Sequence, residues 1–230
     1  MAQFFLELFS EEIPADLQIN LRKNLLEEFE KFFLSKSIKS KKSFSLSTPN
    51  RLVVVFEGLD DQIKVLSEKI KGPKTNAPDE ALEGFIRSNK VEKKNLFKDQ
   101  TNKGEFYFYK TKSKIIKTHD LLTDIIPKIL ESYQWKRSMK WGEFDLSWGR
   151  PLKSILSIFG GKIIDFRFYH ITSSNSTYVD KDFEEKKKIF YDFKSYEKFF
   201  QNQDIIVDQN KRKKLIDKEF VKIQTKKNLY

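Results

Sequence analysis

The sequence contains no cysteine, so disulfides and thiolate metal sites are excluded, which fits a reducing compartment. Histidine is almost as scarce. His119 and His170 are too few for an all-histidine zinc site, and no carboxylate–histidine cluster flanks either of them. No apolar run approaches the roughly 18 residues of a membrane span, and the N-terminus lacks the cationic start and cleavage site of a signal peptide. The chain therefore reads as soluble and cytoplasmic, without a membrane partner. The motifs of several chemistries are missing too: there is no Walker loop, no dinucleotide glycine fingerprint after a strand, and no nucleophile turn of the Ser/His/Asp kind. Gly72-Pro73 lacks both the glycine spacing and the Lys-Ser/Thr of a phosphate-binding loop. The adjacent Glu11 and Glu12 stand at a helix start, where carboxylates complement the helix dipole, and nothing nearby adds a third ligand.

What is present is positive charge and phenylalanine. Lysine and arginine number 44 against 33 aspartates and glutamates, a net charge of +11, and the pI is near 9.5. That balance favours a polyanionic partner. Twenty-two phenylalanines and 39% hydrophobic residues supply a folded core. A length of 230 residues allows one large domain or two small ones. No repeat and no long linker interrupts it, so no internal boundary is set within 1–230.

The local pattern predicts an α+β fold, with mixed, largely antiparallel sheets, β-hairpins and packed amphipathic helices. Residues 3–9 form a short aromatic strand. A helix follows with Pro14 at its tolerated entry and Leu17, Leu21, Leu25, Phe29, Phe32 and Phe33 on one face. Pro49-Asn50 turns one strand into the next, which runs over 51–59. A helix is expected at 79–88, and a strand of alternating aromatics within 102–112. There Phe106 to Tyr109 put two rings on each face, so at least half belong to a core. Thr118 caps a helix through residue 133 that contains Pro127. Gly160-Gly161 is a hairpin turn into a strand at 163–168; 170–181 is polar loop. A helix at 195–202, a strand at 204–208 and a helix at 209–220 complete the expectation.

Residues 136–161 organise the chain. Lys136, Arg137 and Lys140 stand beside Trp141, Gly149-Arg150-Pro151 stiffens and turns the backbone, and an apolar strand follows. Trp141 is expected to anchor the loop against the hairpin. On residue chemistry alone, two readings stay open: a basic aromatic loop that meets RNA, or core tryptophans beside ordinary solvated cations.

This stretch resembles the family of glycyl-tRNA synthetase beta subunits, whose pattern here runs approximately K-S-M-R-W-G, then R-P-hydrophobic, then a two-residue break and a strand. The likeness extends to both sides. FFLELFSEEIPA is similar to the family's L-L-E-I-G-T-E-E-L-P-A, with Phe9-Ser10 in place of Gly-Thr. STPNRLVVVFEGL is similar to A-T-P-R-R-L-A-V followed by E-G-L, with Asn50 in place of one arginine and Arg51 kept. KGP and then EGFIR, ending on Arg87, match K-G-P…A-G-F-A-R. The family's G-N-x-T-x-G-H-R-F is departed from: Asn175 and Thr177 match, but Val179 to Asp182 replace most of Gly-His-Arg, which puts any contact made there in doubt. In all, the likeness covers about residues 3–220.

The resemblance implies a fragment or truncated form of a beta subunit, about a third of the family's length. Such a subunit supports glycine–tRNA ligation by binding tRNA(Gly) and assembling with an alpha subunit, as two alpha and two beta chains. ATP and glycine are handled by the alpha subunit, so no cofactor is expected in this chain, and no catalytic or metal residue. Ser138-Met139-Lys140 faintly resembles the Lys-Met-Ser-Lys-Ser loop of class I synthetases, but its companion His-Ile-Gly-His and the class II arginine motifs are absent. The candidates for contact with tRNA or a partner are Arg51, Arg87, Lys136, Arg137, Lys140, Trp141 and Arg150. The alternative is a free-standing basic RNA-binding or interaction module without an enzymatic role.

Overall fold

The computed structural model describes residues 1–65, 67–133, 135, 137–141, 143–179 and 186–227. It divides into two compact units, Met1–Asp61 with Lys117–Tyr230, and Gln62–Ile116.

The first unit is built on β1 (Ala2–Ser10), a strand buried from Phe4 onward. Alternation along the strand sends Phe4, Leu6 and Leu8 to one face and Phe5, Glu7 and Phe9 to the other. Both faces are covered, which is why the strand reads as a nearly continuous apolar run. Helix α1 (Ala15–Ser35) covers the first face with Leu17, Leu21, Leu25, Phe29 and Phe33, each four residues from the last. Phe29 meets Phe4 at 5.2 Å between ring centroids. Strands β2 (Lys42–Thr48) and β3 (Arg51–Leu59) form the hairpin around Pro49-Asn50, with Thr48 opposite Arg51.

The second unit pairs β4 (Gln62–Val65) with β8 (Lys114–Lys117), the strand that leads out of it. Between them β5 (Lys69–Lys74), helix α2 (Asp79–Asn89), β6 (Leu96–Thr101) and β7 (Gly104–Lys110) build a three-stranded sheet in the order β5-β7-β6.

Back in the first unit, α3 (Thr118–Ser132) buries Leu122, Ile126, Ile129 and Leu130. Thr118 is not its cap. Lys117 holds the N-cap position, and the Thr118 hydroxyl donates instead to the Asp60 carbonyl at 2.5 Å. Strand β9 (Leu152–Phe159) pairs antiparallel with β1. Gly160 and Gly161, at φ of 57° and 79°, then make the tight turn into β10 (Lys162–Ile163). Two left-handed residues in succession are what such a turn requires, and glycine adopts them without strain. The resulting order is β10-β9-β1-β3-β2.

The expected strand at 163–168 is broken. After β10 the chain leaves the sheet, because the buried Ser173 hydroxyl takes the Phe166 N–H at 2.8 Å and donates to the Ile164 carbonyl at 2.8 Å. Short pairs follow, β11 (Arg167–Phe168) with β12 (Ile171–Thr172), and β13 (Ser176–Tyr178) with β14 (Lys187–Ile189). The stretch expected as polar loop therefore carries strand structure, since its serines and threonines satisfy backbone groups at close range. Asp180 to Glu185 lie outside the described residues, and with them most of the divergent segment.

Helix α4 (Phe193–Gln201), capped by the Asp192 carboxylate on the Ser195 N–H, covers the second face of β1 with Phe193, Tyr196 and Phe200. Residues 204–208 are not a strand. Arg212 of α5 (Gln209–Lys227) donates to the carbonyls of Ile206 at 2.5 Å and Val207 at 3.0 Å, so a side chain does the work of strand pairing. Arg212 also donates to the Ser47 carbonyl at 2.7 Å, and Gln209 Oε1 accepts from the Ser47 N–H, which closes that end of β2. The architecture is α+β, as expected. Among the described residues no helix is long and apolar enough to cross a membrane.

Candidate nucleic-acid interface

The basic aromatic stretch is a loop on a packed aromatic stem. At its start Tyr133 donates its phenolic proton to the Leu21 carbonyl at 2.6 Å, fastening the end of α3 to α1. Burial, with Glu28 adding to it, pushes the Tyr133 phenol above its ordinary range, so it stays protonated as a donor. Tyr133, Trp135, Trp148 and Phe168 then pack in series, with centroids 5.4, 4.8 and 5.6 Å apart. The Trp135 ring lies directly on Gly149, where a Cβ would fall 1.9 Å from it. Only glycine permits that approach.

Met139 and Trp148 exchange both backbone hydrogen bonds, at 2.8 and 3.1 Å, and the Ser147 hydroxyl donates to that of Ser138 at 2.7 Å. These bonds close a loop whose outer part carries Lys140, Trp141, Phe144 and Asp145. Phe144 is 40% exposed. It stacks on the His170 ring at 5.0 Å, while Trp141 meets the same ring edge-on at 6.3 Å. Lys140 Nζ is 2.9 Å from Asp145, an exposed pair of the kind that contributes little to stability and yields readily to a stronger anion. The arrangement offers ring faces and cations side by side, which is the chemistry of base stacking and phosphate attraction.

The seven sequence candidates do not all converge here. Arg137, Lys140 and Trp141 belong to the loop, and Arg137 and Lys140 are exposed. Lys136 lies outside the described residues. Arg150 is half-buried at the base, where it donates to the carbonyls of Glu12 at 3.0 Å and Gly149 at 3.1 Å and so holds the stem. The anchoring role expected of Trp141 falls to Trp148, which is 2% exposed, while Trp141 is only half-buried. Arg87 is exposed on α2 of the second unit.

Arg51 is inside the protein. It is 5% exposed, its Nε lies 2.9 Å from Glu7 Oε1, and its Cζ sits 4.5 Å from the centroids of both Phe9 and Phe200. It also donates to the Tyr178 carbonyl at 2.5 Å. The approach to Glu7 is an ion pair out of line for a hydrogen bond, and Tyr196 supplies the aligned donor at 2.5 Å. Complete burial holds the Glu7 carboxyl above its ordinary value; Arg51, with Thr177 and Tyr196, pulls the other way. This network ties β1, β3, β13 and α4 together and presents no free cation to solvent. Phe144 and His170, by contrast, were not among the candidates. Their only sequence signal is a phenylalanine placed among charged residues of a loop. No group of three His, Cys, Asp or Glu placed to hold a metal occurs among the described residues.

Residues 4–230 match the family model described as glycyl-tRNA synthetase beta subunit. Among similar proteins, the glycine–tRNA ligase beta subunit of Rickettsia akari is 32% identical over 229 residues, covering 100% of this chain and 34% of its own length. That of Rickettsia canadensis is 34% identical over 216 residues, covering 94% of this chain and 32% of the relative. The Rickettsia prowazekii protein is 33% identical over 229 residues. The chain thus spans about a third of the length of the curated relatives it matches. With the match running through both units, the chain belongs to the glycyl-tRNA synthetase beta subunit family.

Proposed function

We propose that this chain serves as part of the beta subunit of a glycine–tRNA ligase, binding tRNA and assembling with an alpha subunit that handles ATP and glycine. The observation that carries the RNA-binding part is the loop at 137–148. It sets cations beside the exposed ring of Phe144 and the half-buried Trp141 on a stem of packed tryptophans, in a protein of net charge +11. The contribution to catalysis is positional. Holding the acceptor end of tRNA against a separate active site removes translational and rotational freedom before the reaction, without supplying reacting groups. Cytoplasmic location and an assembly of two alpha and two beta chains follow from the same reading.

The test is a comparison of wild type with a variant carrying Lys136→Glu, Arg137→Glu and Lys140→Glu. We expect weaker tRNA binding with little change in melting. If alpha-subunit co-elution falls while tRNA binding holds, the loop is a subunit contact instead. If the chain binds RNA yet never associates with an alpha subunit, the reading as a free-standing RNA-binding module takes its place.

A further inference from the structure

The second unit carries a separate surface of similar chemistry. In its sheet Lys71 stands opposite Phe108, Phe97 opposite Phe108 from the other side, and Lys74 and Asp99 opposite Phe106. Directly opposed residues share a face, so Phe97, Asp99, Phe106, Phe108, Lys69 and Lys71 lie together. Ile70, Leu96, Lys98, Tyr107 and Tyr109 take the other face. Helix α2 packs on that second face: a Cβ on Gly72 would meet the Phe85 ring at 3.0 Å, beside the Tyr107 carbonyl. On the phenylalanine face Phe106 and Phe108 are buried, and Phe97 is the ring that reaches solvent.

What lies over the rings is lysine. The Lys71 ammonium is 3.5 Å from the Phe106 centroid, with Lys74 at 5.9 Å. Lys69 is 4.3 Å from Phe108 and 5.4 Å from Phe97, and it pairs with Asp99, the one acid on this face. All three lysines are exposed. Phe97 is 40% exposed and lies nearly parallel to Phe108, with centroids 6.0 Å apart and planes 24° apart. A lysine over a ring at the surface is held weakly. A base stacked on an exposed ring is held more strongly. The ammonium groups need move only a short way to exchange ring faces for phosphates.

We propose that this face binds an unpaired stretch of RNA, with a base stacked on the exposed ring of Phe97 and phosphates held by Lys69, Lys71 and Lys74. The charge on the face is complementary to that partner, and the open ring of Phe97 favours a single strand, whose bases are free to stack, over a duplex. The inference deepens the RNA-binding reading above and rests on it.

The test uses the full chain and two labelled RNAs of equal phosphate number, an unstructured single strand and a hairpin closed by a tetraloop whose bases stack inward, followed by fluorescence anisotropy alongside tRNA. Phe97→Leu keeps apolar bulk and removes the stack; Phe97→Tyr keeps the ring. Phe97→Leu should weaken single-strand binding by about tenfold and leave hairpin binding unchanged, and Phe97→Tyr should match wild type. Equal single-strand affinity in wild type and Phe97→Leu overturns the site while leaving the tRNA reading intact. A parallel loss in hairpin binding also overturns it, since stacking is then not what the ring supplies. Wild type that binds none of the three RNAs overturns both.

Discussion

Arg51 begins a valine-rich strand just after a turn, and nothing beside it in sequence says whether its side chain leaves the protein. The trace of its fate is elsewhere, in Glu7, a lone acid inside the apolar run FFLELF. An ionised carboxylate in that setting needs a countercharge from a distant segment, and Arg51 provides it. Arg51→Met would leave Glu7 buried without its partner and should cost roughly 3–5 kcal/mol near neutral pH. The loss has a defined pH dependence. Removing the cation lifts a Glu7 pKa already raised by burial, so the folded variant holds that proton more tightly than the unfolded chain does. Stability from this group is then fully present below the unfolded carboxylate pKa and is lost as pH rises through the higher folded value. Denaturant melts of both proteins should show the gap narrowing toward acid pH; a gap that widens there contradicts the account. The tryptophans separate in the same way. Trp148→Ala should cost about 3–5 kcal/mol, because its ring fills the stem. Trp141→Ala should cost on the order of 1 kcal/mol, because part of its ring already faces water. Nothing in the local sequence ranks the two, since which ring is buried depends on Tyr133, Trp135 and Phe168 arriving from other segments.

Elements with a local cause were legible before the structure. The four-residue spacing from Leu17 to Phe33, the Pro49-Asn50 turn and the paired glycines at 160 and 161 each carry their own physics, and all three stand where expected. Elements whose geometry is set at long range were not. Residues 204–208 have strand composition but bond to the Arg212 side chain, and the return from the Gly160-Gly161 turn is cut short by Ser173. The loop's stem depends on a contact of this second kind. Gly149→Ala places a methyl group where the Trp135 ring lies, so the ring or the backbone must move. The expected cost is about 1–3 kcal/mol, with a shift in tryptophan fluorescence and weaker RNA binding. An unchanged melting midpoint and emission spectrum would mean that Trp135 does not pack on this backbone in solution.

For the whole molecule, the family was legible because its motifs are contiguous runs, whereas the surface proposed to meet RNA is assembled from separated segments. Activation of glycine by the chain alone should be at background in an ATP–pyrophosphate exchange assay; clear exchange would show that the separate alpha subunit is not needed for that step. The central claim, that tRNA is held through phosphates by the basic loop, is tested most directly by the salt dependence of tRNA affinity in wild type and in the Lys136→Glu, Arg137→Glu, Lys140→Glu variant. Each phosphate contact releases condensed counterions, so losing three should make the slope of log affinity against log salt shallower by about 2 to 3. The melting midpoint should barely change, because solvated charges add little to folding. The account predicts weaker binding with that reduced slope; equal slopes and equal affinities would contradict it.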